Sequence, residues 1–165
     1  MMQGDPQFTP PGILDGASEA VPPRGSVFER LRKEGLAERN AVATWIDYAV
    51  GVVMQKLKEL GVADNALLIF SSDHGSRGKY TCYEACHIPS IARWPRGIRK
   101  PGQVGSICVN VDLAVTSLDL AGAAPPEGMA QDGASFVSIL RGGAEPSNWR
   151  QELYLEWSAR PSGAW

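Results

Sequence analysis

The sequence predicts an α/β fold in which helices sandwich a mainly parallel sheet. A long amphipathic segment, residues 37–60, is followed closely by a short and almost wholly apolar run, residues 66–72. A helix that leads directly into a strand buried on both faces is typical of half a parallel α/β unit. Further patterns follow in the order strand, strand, helix, helix, strand, which completes the prediction of an α/β sandwich.

The first helix is predicted from apolar residues that recur at i, i+3, i+4 and i+7 through residues 37–60. The set comprises Val42, Trp45, Ile46, Ala49, Val50, Val53, Met54, Leu57 and Leu60. Charged residues occupy the opposite face, and lysines precede Gly61, which we expect to end the helix. The apolar face is expected to pack on the sheet through Trp45, Ile46, Val53 and Leu57.

The remaining strands are expected over three segments. They are residues 89–95 (PSIARWP), residues 104–111 (VGSICVNV) and residues 152–157 (ELYLEW). Together with the apolar run at 66–72 they supply the strands of the predicted sheet.

Two further helices and an N-terminal arm complete the assignment. Asp112 is expected to be the N-cap of a helix that Gly122 ends, and a shorter helix is expected over residues 135–140. Residues 1–36 contain the Pro/Gly-rich stretches TPPG and VPPRG, so we interpret them as an arm that buries little surface by itself.

Composition excludes several classes of function. Sixteen basic and eighteen acidic residues give a formal charge of −2 over 165 residues, and the basic residues are scattered. This argues against nucleic acid or an anionic membrane as the partner. No apolar run approaches the roughly 20 residues of a membrane span, and the N-terminus resembles no secretion signal. Three cysteines are too few for a disulfide scaffold, and the localisation stays unknown.

An aspartate and a histidine stand side by side where the first apolar strand ends. In open α/β sheets, ligands bind beyond the carboxyl ends of the strands. Neighbouring side chains of a strand point to opposite faces, so Asp73 and His74 can serve one centre only if the backbone turns, which Gly75 permits. A carboxylate beside an imidazole is a partial shell for a divalent cation. The alternative is that Asp73 caps the following turn while His74 is an ordinary surface residue.

Several motifs around this pair occur together in one known family. SDHG is followed by a GKxTxYE pattern that contains Lys79, Tyr83 and Glu84, and then by PxIxRWP. Before it stands IDYAVGVVMQKLKELGVADNALLIFSSDHG, and after it stand VDLAVTSLDLAG and DGASFVSILRGG. Over about residues 37–156 these segments resemble the sulfatases of the alkaline phosphatase superfamily.

The resemblance implies an incomplete alkaline-phosphatase-like fold, with residues 37–165 as a partial sulfatase catalytic domain. In that family an Asp-Asn or Asp-His pair ligates one divalent ion, usually calcium, so Asp73 and His74 are the expected metal ligands and Ca²⁺ the expected cofactor. Lys79 matches a lysine whose ammonium contacts the sulfate, and it is the expected catalytic residue. The expected substrate is a sulfate ester of a small molecule or a glycan.

Parts of the family's active site are not found in these residues. None of the three cysteines stands in the Cys-x-Pro-x-Arg motif that supplies the nucleophile, and the family's early aspartate ligands are absent too. We therefore expect the chain alone to be inactive, and to be either a dimer or short of the N-terminal part of the domain.

Other interpretations stay open at this point. A metal-dependent phosphoesterase of the same superfamily also uses an Asp-His pair, and a non-catalytic remnant or interaction domain needs no complete site. Cys82, Cys86, His87 and His74 suggest zinc, but Cys-x₃-Cys with one adjacent histidine is not a usual ligand spacing. Two cysteines four residues apart are more often small buried apolar residues.

Overall fold

The computed structural model describes residues 7–9, 12–14, 22–76, 78, 81–128 and 130–156. The chain divides into two compact units, Met1–Ala63 and Asp64–Trp165. Within the described residues, no helix has both the length and the apolar character that crossing a membrane requires.

The first unit contains a short hairpin and two helices. Strands β1 (Gln7–Thr9) and β2 (Gly12–Leu14) pair antiparallel. Helix α1 spans Arg24–Lys33, and a 3₁₀ turn at Glu38–Asn40 leads into helix α2, Ala41–Glu59. The predicted helix over 37–60 is therefore confirmed, with its first residues in the 3₁₀ turn.

The core of the first unit lies between α1 and α2. Its buried members are Val27, Leu31, Ala41 and Trp45, with Phe28 and Tyr48 packed around them. Trp45 of α2 packs against α1 in this core, and the side chains of Ile46 and Val53 are 43% and 46% exposed. The packing of this face of α2 on a sheet stays a prediction. Helix α1 was not predicted, because it contains only three large apolar residues and lies in a segment that was interpreted as a Pro/Gly-rich arm.

A glycine ends helix α2. Gly61, with φ 70°, donates its N–H to the carbonyl of Lys58, and the N–H of Val62 reaches Leu57. These paired bonds satisfy carbonyl groups that have no partner inside the helix, in a backbone conformation that glycine adopts without steric cost. The predicted end of α2 at Gly61 is confirmed.

The second unit carries the Asp-His pair. Its elements are β3 (Leu68–Ser71), α3 (Tyr83–Cys86), β4 (Ser90–Arg93), α4 (Asp112–Ala121) and α5 (Val137–Leu140). Strands β3 and β4 pair antiparallel, with Leu68 opposite Arg93 and Ser71 opposite Ser90. The buried side chains of Phe136, Ile139 and Trp149 pack together, and Ile69 of β3 contacts this cluster.

The sheet differs from its prediction. Both ladders among the described residues are antiparallel and two-stranded, so these residues contain no parallel pair. Residues 104–111 contain no strand, and residues 152–156 contain none either. A strand exists only when its backbone pairs with a neighbour, and neither segment has such a partner within the described residues. Trp157, the last residue of the predicted strand, lies outside them.

Helix α4 is fixed by a buried ion pair at its first residue. The Asp112 carboxylate, fully buried, accepts hydrogen bonds from the backbone N–H groups of Val109 and Ala134, both at 2.8 Å. The Arg150 guanidinium binds both carboxylate oxygens, at 2.5 and 2.6 Å. Asp112 was predicted as the N-cap, but Val111 holds that position and Asp112 is the first helical residue. Gly122, with φ 64°, ends the helix as predicted.

Candidate functional site

The Asp-His pair lies on a turn that follows β3 directly. Beyond the last ladder pair, the N–H of Ser72 donates to the carbonyl of Pro89 at 3.4 Å. Three residues later the N–H of Gly75 donates to the carbonyl of Ala85, in α3, at 2.7 Å. The turn is therefore held at one end by Pro89, between α3 and β4, and at the other end by Ala85 of α3, and Asp73 and His74 lie between these two anchors.

Gly75 allows this turn to approach α3 closely. A Cβ at this position would lie 2.0 Å from the carbonyl oxygen of Glu84, a distance that no side chain tolerates. Its φ is not in the left-handed region, so the absence of a side chain, rather than a special backbone angle, is what the site needs. The left-handed residue is Gly78, with φ 76°, whose N–H returns to the carbonyl of Gly75 at 3.2 Å.

The side chains of Asp73 and His74 converge on one point. A carboxylate oxygen of Asp73 (Oδ2) lies 3.6 Å from Nε2 of His74. The Asp73 side chain is 82% exposed and that of His74 is 40% exposed, so the point between them is open to solvent.

The ring of His74 has a defined orientation. Its Nδ1 lies 2.9 Å from the carbonyl oxygen of Gly75. A carbonyl oxygen only accepts hydrogen bonds, so Nδ1 must carry the proton, and in the neutral ring the lone pair is on Nε2. That lone pair and the Asp73 carboxylate are then two acceptors that face each other, an arrangement that a cation between them stabilises.

The pair fits a divalent cation as half of a ligand shell. One ion at roughly 2.0–2.6 Å from each atom spans a separation of 3.6 Å without strain. The carbonyl bond to Nδ1 is the outer contact that metal-binding histidines usually have. No cluster of three or more histidine, cysteine, aspartate or glutamate side chains within the described residues could hold a metal ion. A complete shell therefore needs ligands beyond Asp73 and His74.

The same result removes the zinc interpretation. Cys82, Cys86, His87 and His74 all belong to the described residues and form no such cluster. The ring of His87 stacks on Tyr83 at 4.7 Å between centroids, across one turn of α3. Lys79, the predicted catalytic residue, lies outside the described residues.

Ser72 is a part of the site that sequence reasoning missed. Its hydroxyl donates to the carbonyl of His74 at 2.8 Å. In the sequence it is one of two adjacent serines, and no local pattern distinguishes the serine that supports the turn from the one that ends β3. The difference becomes visible only in the structure.

Comparison with known proteins identifies the family of this chain. The family described as "N-sulphoglucosamine sulphohydrolase, C-terminal" matches residues 72–163, more than half of the chain. The N-acetylglucosamine-6-O-sulfatase of Bacteroides thetaiotaomicron is 32% identical over 126 residues, which cover 71% of this chain and 22% of that protein. The extracellular sulfatase SULF-1 homologue of Drosophila melanogaster is 34% identical over 149 residues, 84% of this chain and 13% of that protein.

A solved structure shows the same fold. The protein in that structure was solved in complex with its substrate, D-glucosamine-2-N,6-O-disulfate. Its sequence is 29% identical to this one, and the two structures align with a TM-score of 0.58 over 74% of this chain and 26% of that one. The fold thus places the chain in the alkaline-phosphatase-like class. The chain belongs to the sulfatase family and matches the C-terminal part of its members. It spans less than a quarter of the length of the two curated relatives described above.

Proposed function

We propose that this chain forms the C-terminal part of a catalytic domain that hydrolyses sulfate esters at a divalent-metal site. The observation that carries the proposal is the convergence of Asp73 and His74, 3.6 Å apart, on a turn inside the segment that matches the sulfatase family. The names of the relatives favour a sulfated amino sugar as the substrate class, either as a small molecule or within a glycan.

Each residue has a distinct task in this proposal. Asp73 would bind the ion through a carboxylate oxygen, and His74 through Nε2, the ring nitrogen whose lone pair is available. Calcium is the ion that the family resemblance implies, and when bound it would polarise the sulfate group. Lys79 would place its ammonium against a sulfate oxygen, because a compact cation stabilises the charge that develops as the ester bond breaks.

The nucleophile and the other metal ligands would come from residues that this sequence does not contain. The motif Cys-x-Pro-x-Arg is absent from its 165 residues.

The mainly parallel sheet that the sequence predicts is also proposed for the complete catalytic domain. Strand β3 pairs with β4 on one side and with no other strand of the described residues. Further parallel strands of a complete domain would pair with that second edge.

A chimera tests the proposed function. Residues 37–156 would replace the matching segment of the Bacteroides thetaiotaomicron relative, and the release of sulfate from N-acetylglucosamine-6-sulfate would be measured with added Ca²⁺. We expect turnover that Asp73→Ala and Lys79→Ala each abolish, while Asp47→Ala, on a predicted solvent-facing position of α2, leaves it unchanged. A folded chimera that hydrolyses phosphate esters but no sulfate ester would instead favour the phosphoesterase.

A specific observation also favours a non-catalytic role for the chain by itself. The described residues supply half of a metal shell, and α2 exposes the apolar side chains of Val42, Ile46 and Val53. An interaction domain requires such a surface and no complete site. Sulfate release by the isolated chain, lost in Asp73→Ala, would exclude this second candidate.

A further inference from the structure

The peptide group between His74 and Gly75 is held at both of its polar atoms. Its carbonyl, that of His74, accepts the hydroxyl proton of Ser72 at 2.8 Å. Its N–H, that of Gly75, donates to the carbonyl of Ala85 at 2.7 Å. A peptide plane with both polar atoms bound to fixed partners has no freedom to rotate, so the backbone that carries the His74 ring has one orientation.

The next peptide group is fixed as well, and it determines the state of the ring. The carbonyl of Gly75 accepts the N–H of Gly78 at 3.2 Å and Nδ1 of His74 at 2.9 Å. Rotation of the 74–75 peptide would carry this carbonyl away from Nδ1. The Ser72 hydroxyl, two residues earlier, is one of the contacts that hold this arrangement in place.

We propose that Ser72 is a positioning residue that, through the backbone carbonyls of His74 and Gly75, keeps the imidazole of His74 in the Nδ1-protonated tautomer with Nε2 directed at Asp73. The use of Nε2 as a metal ligand rests on the function proposed above. The tautomer itself does not, because every bond that sets it is made within the chain.

The chain offers close controls for this proposal. Ser71, the adjacent residue, is exposed, and its hydroxyl donates to the carbonyl of Ser72 at 3.2 Å, outside the peptide that carries the ring. Only two histidines are present. The second, His87, is exposed, so that His87→Gln assigns the ring signals without changing the turn.

The first experiment needs no metal. Long-range ¹⁵N–¹H correlation spectra of the full chain, recorded at about pH 8 where an ordinary imidazole is neutral, identify which ring nitrogen of His74 carries the proton. We expect Nδ1–H in the wild type and in Ser71→Ala, a mixture of tautomers in Ser72→Ala, and restoration of Nδ1–H in Ser72→Thr, which keeps the hydroxyl. A wild-type ring protonated on Nε2 would overturn the proposal without any variant.

The second experiment adds Ca²⁺ or Zn²⁺, both diamagnetic, to the same samples. We expect the metal to shift the Nε2 signal rather than the Nδ1 signal, with an affinity about tenfold lower in Ser72→Ala than in Ser71→Ala, as for other supporting contacts of metal ligands. Equal tautomers and equal affinities in these two variants would contradict the positioning role. A wild-type chain with the Nδ1–H tautomer that binds neither ion would refute the metal centre while leaving the role of Ser72 intact.

Discussion

Two aspartates of the second unit show how differently the same side chain is used. Asp112 is fully buried, and both of its oxygens are satisfied by the Arg150 guanidinium and two backbone N–H groups. Asp73 is 82% exposed and faces one imidazole nitrogen at 3.6 Å. A buried carboxylate must be fully compensated, whereas an exposed one that faces another acceptor keeps its capacity for a ligand. Completeness of the surroundings therefore separates the structural aspartate from the proposed metal ligand.

Removal of the buried carboxylate is expected to have the largest effect. Asp112→Ala leaves the Arg150 guanidinium without its partner and two backbone N–H groups unsatisfied, and breaking such a buried pair costs about 3–5 kcal/mol. Urea unfolding of the full chain, followed by tryptophan fluorescence, measures this loss. A cost as small as that of Asp73→Ala would remove the proposed difference between the two aspartates.

Acid should remove part of the same stabilisation. Burial acts to raise the pKa of Asp112, but the hydrogen bonds from Arg150, Ala134 and Val109 outweigh it and hold the pKa below its ordinary value. A carboxyl with a lower pKa when folded stabilises the protein above its unfolded pKa, about 3.9, and this stabilisation is lost as the pH falls through the folded pKa. We expect the free energy of unfolding to fall below about pH 4.

Asp112→Asn provides the comparison for this pH dependence. The amide cannot titrate, so the variant should be less stable near neutral pH and should lose less stability on acidification. Parallel urea titrations at a series of pH values measure both slopes. Identical slopes for the wild type and Asp112→Asn would show that Asp112 contributes nothing to the acid transition.

A methyl group on the turn that carries Asp73 and His74 should have an intermediate effect. Gly75→Ala would place a Cβ 2.0 Å from the Glu84 carbonyl oxygen, so the turn must move away from α3, at a cost of about 1–3 kcal/mol. Gly51→Ala is the matched control because Gly51 lies in α2 with open space around its Cα, where alanine is expected to stabilise by about 0.5–1 kcal/mol. Thermal unfolding should move the two variants in opposite directions, and equal shifts would contradict the tight approach.

Asp73→Ala should have the smallest effect on stability and a large effect on binding. An exposed side chain with one contact is expected to change the free energy of unfolding by no more than about 0.5 kcal/mol. Its loss removes one of the two converging ligand atoms, so Ca²⁺ binding, measured by calorimetry, should become undetectable. Unchanged Ca²⁺ affinity in this variant would show that the Asp-His pair is not the metal site.

Local patterns predicted the elements that local forces determine. The period of α2, the glycines that end α2 and α4, and the apolar run of β3 each involve neighbours within a few residues. Residues 104–111 and 152–156 have strand composition without becoming strands, since pairing depends on a partner that composition does not encode. Helix α1 was not predicted because it has few apolar residues. These residues pack against Ala41 and Trp45, a contact that the local sequence does not reveal.

The candidate site divides in the same way. The motif SDHG and the motifs around it predicted Asp73 and His74 as candidate ligands, and the structure places their side chains 3.6 Å apart. The hydrogen bonds that hold the turn could not be predicted, since those to Ala85 and Pro89 join residues separated by ten or more positions. The partner of Asp112 was unpredictable for the same reason, because Arg150 lies 38 residues away.

The Asp112–Arg150 pair also constrains the order of events during synthesis. Ribosomes extend a chain from its N-terminus, so α4 emerges before the guanidinium that neutralises its first residue exists. Until Arg150 has been added, burial of Asp112 would place an uncompensated charge in the interior, which is strongly unfavourable. The start of α4 therefore stays accessible to water in the nascent chain. Docking of α4 is therefore expected only after Arg150 has been synthesised.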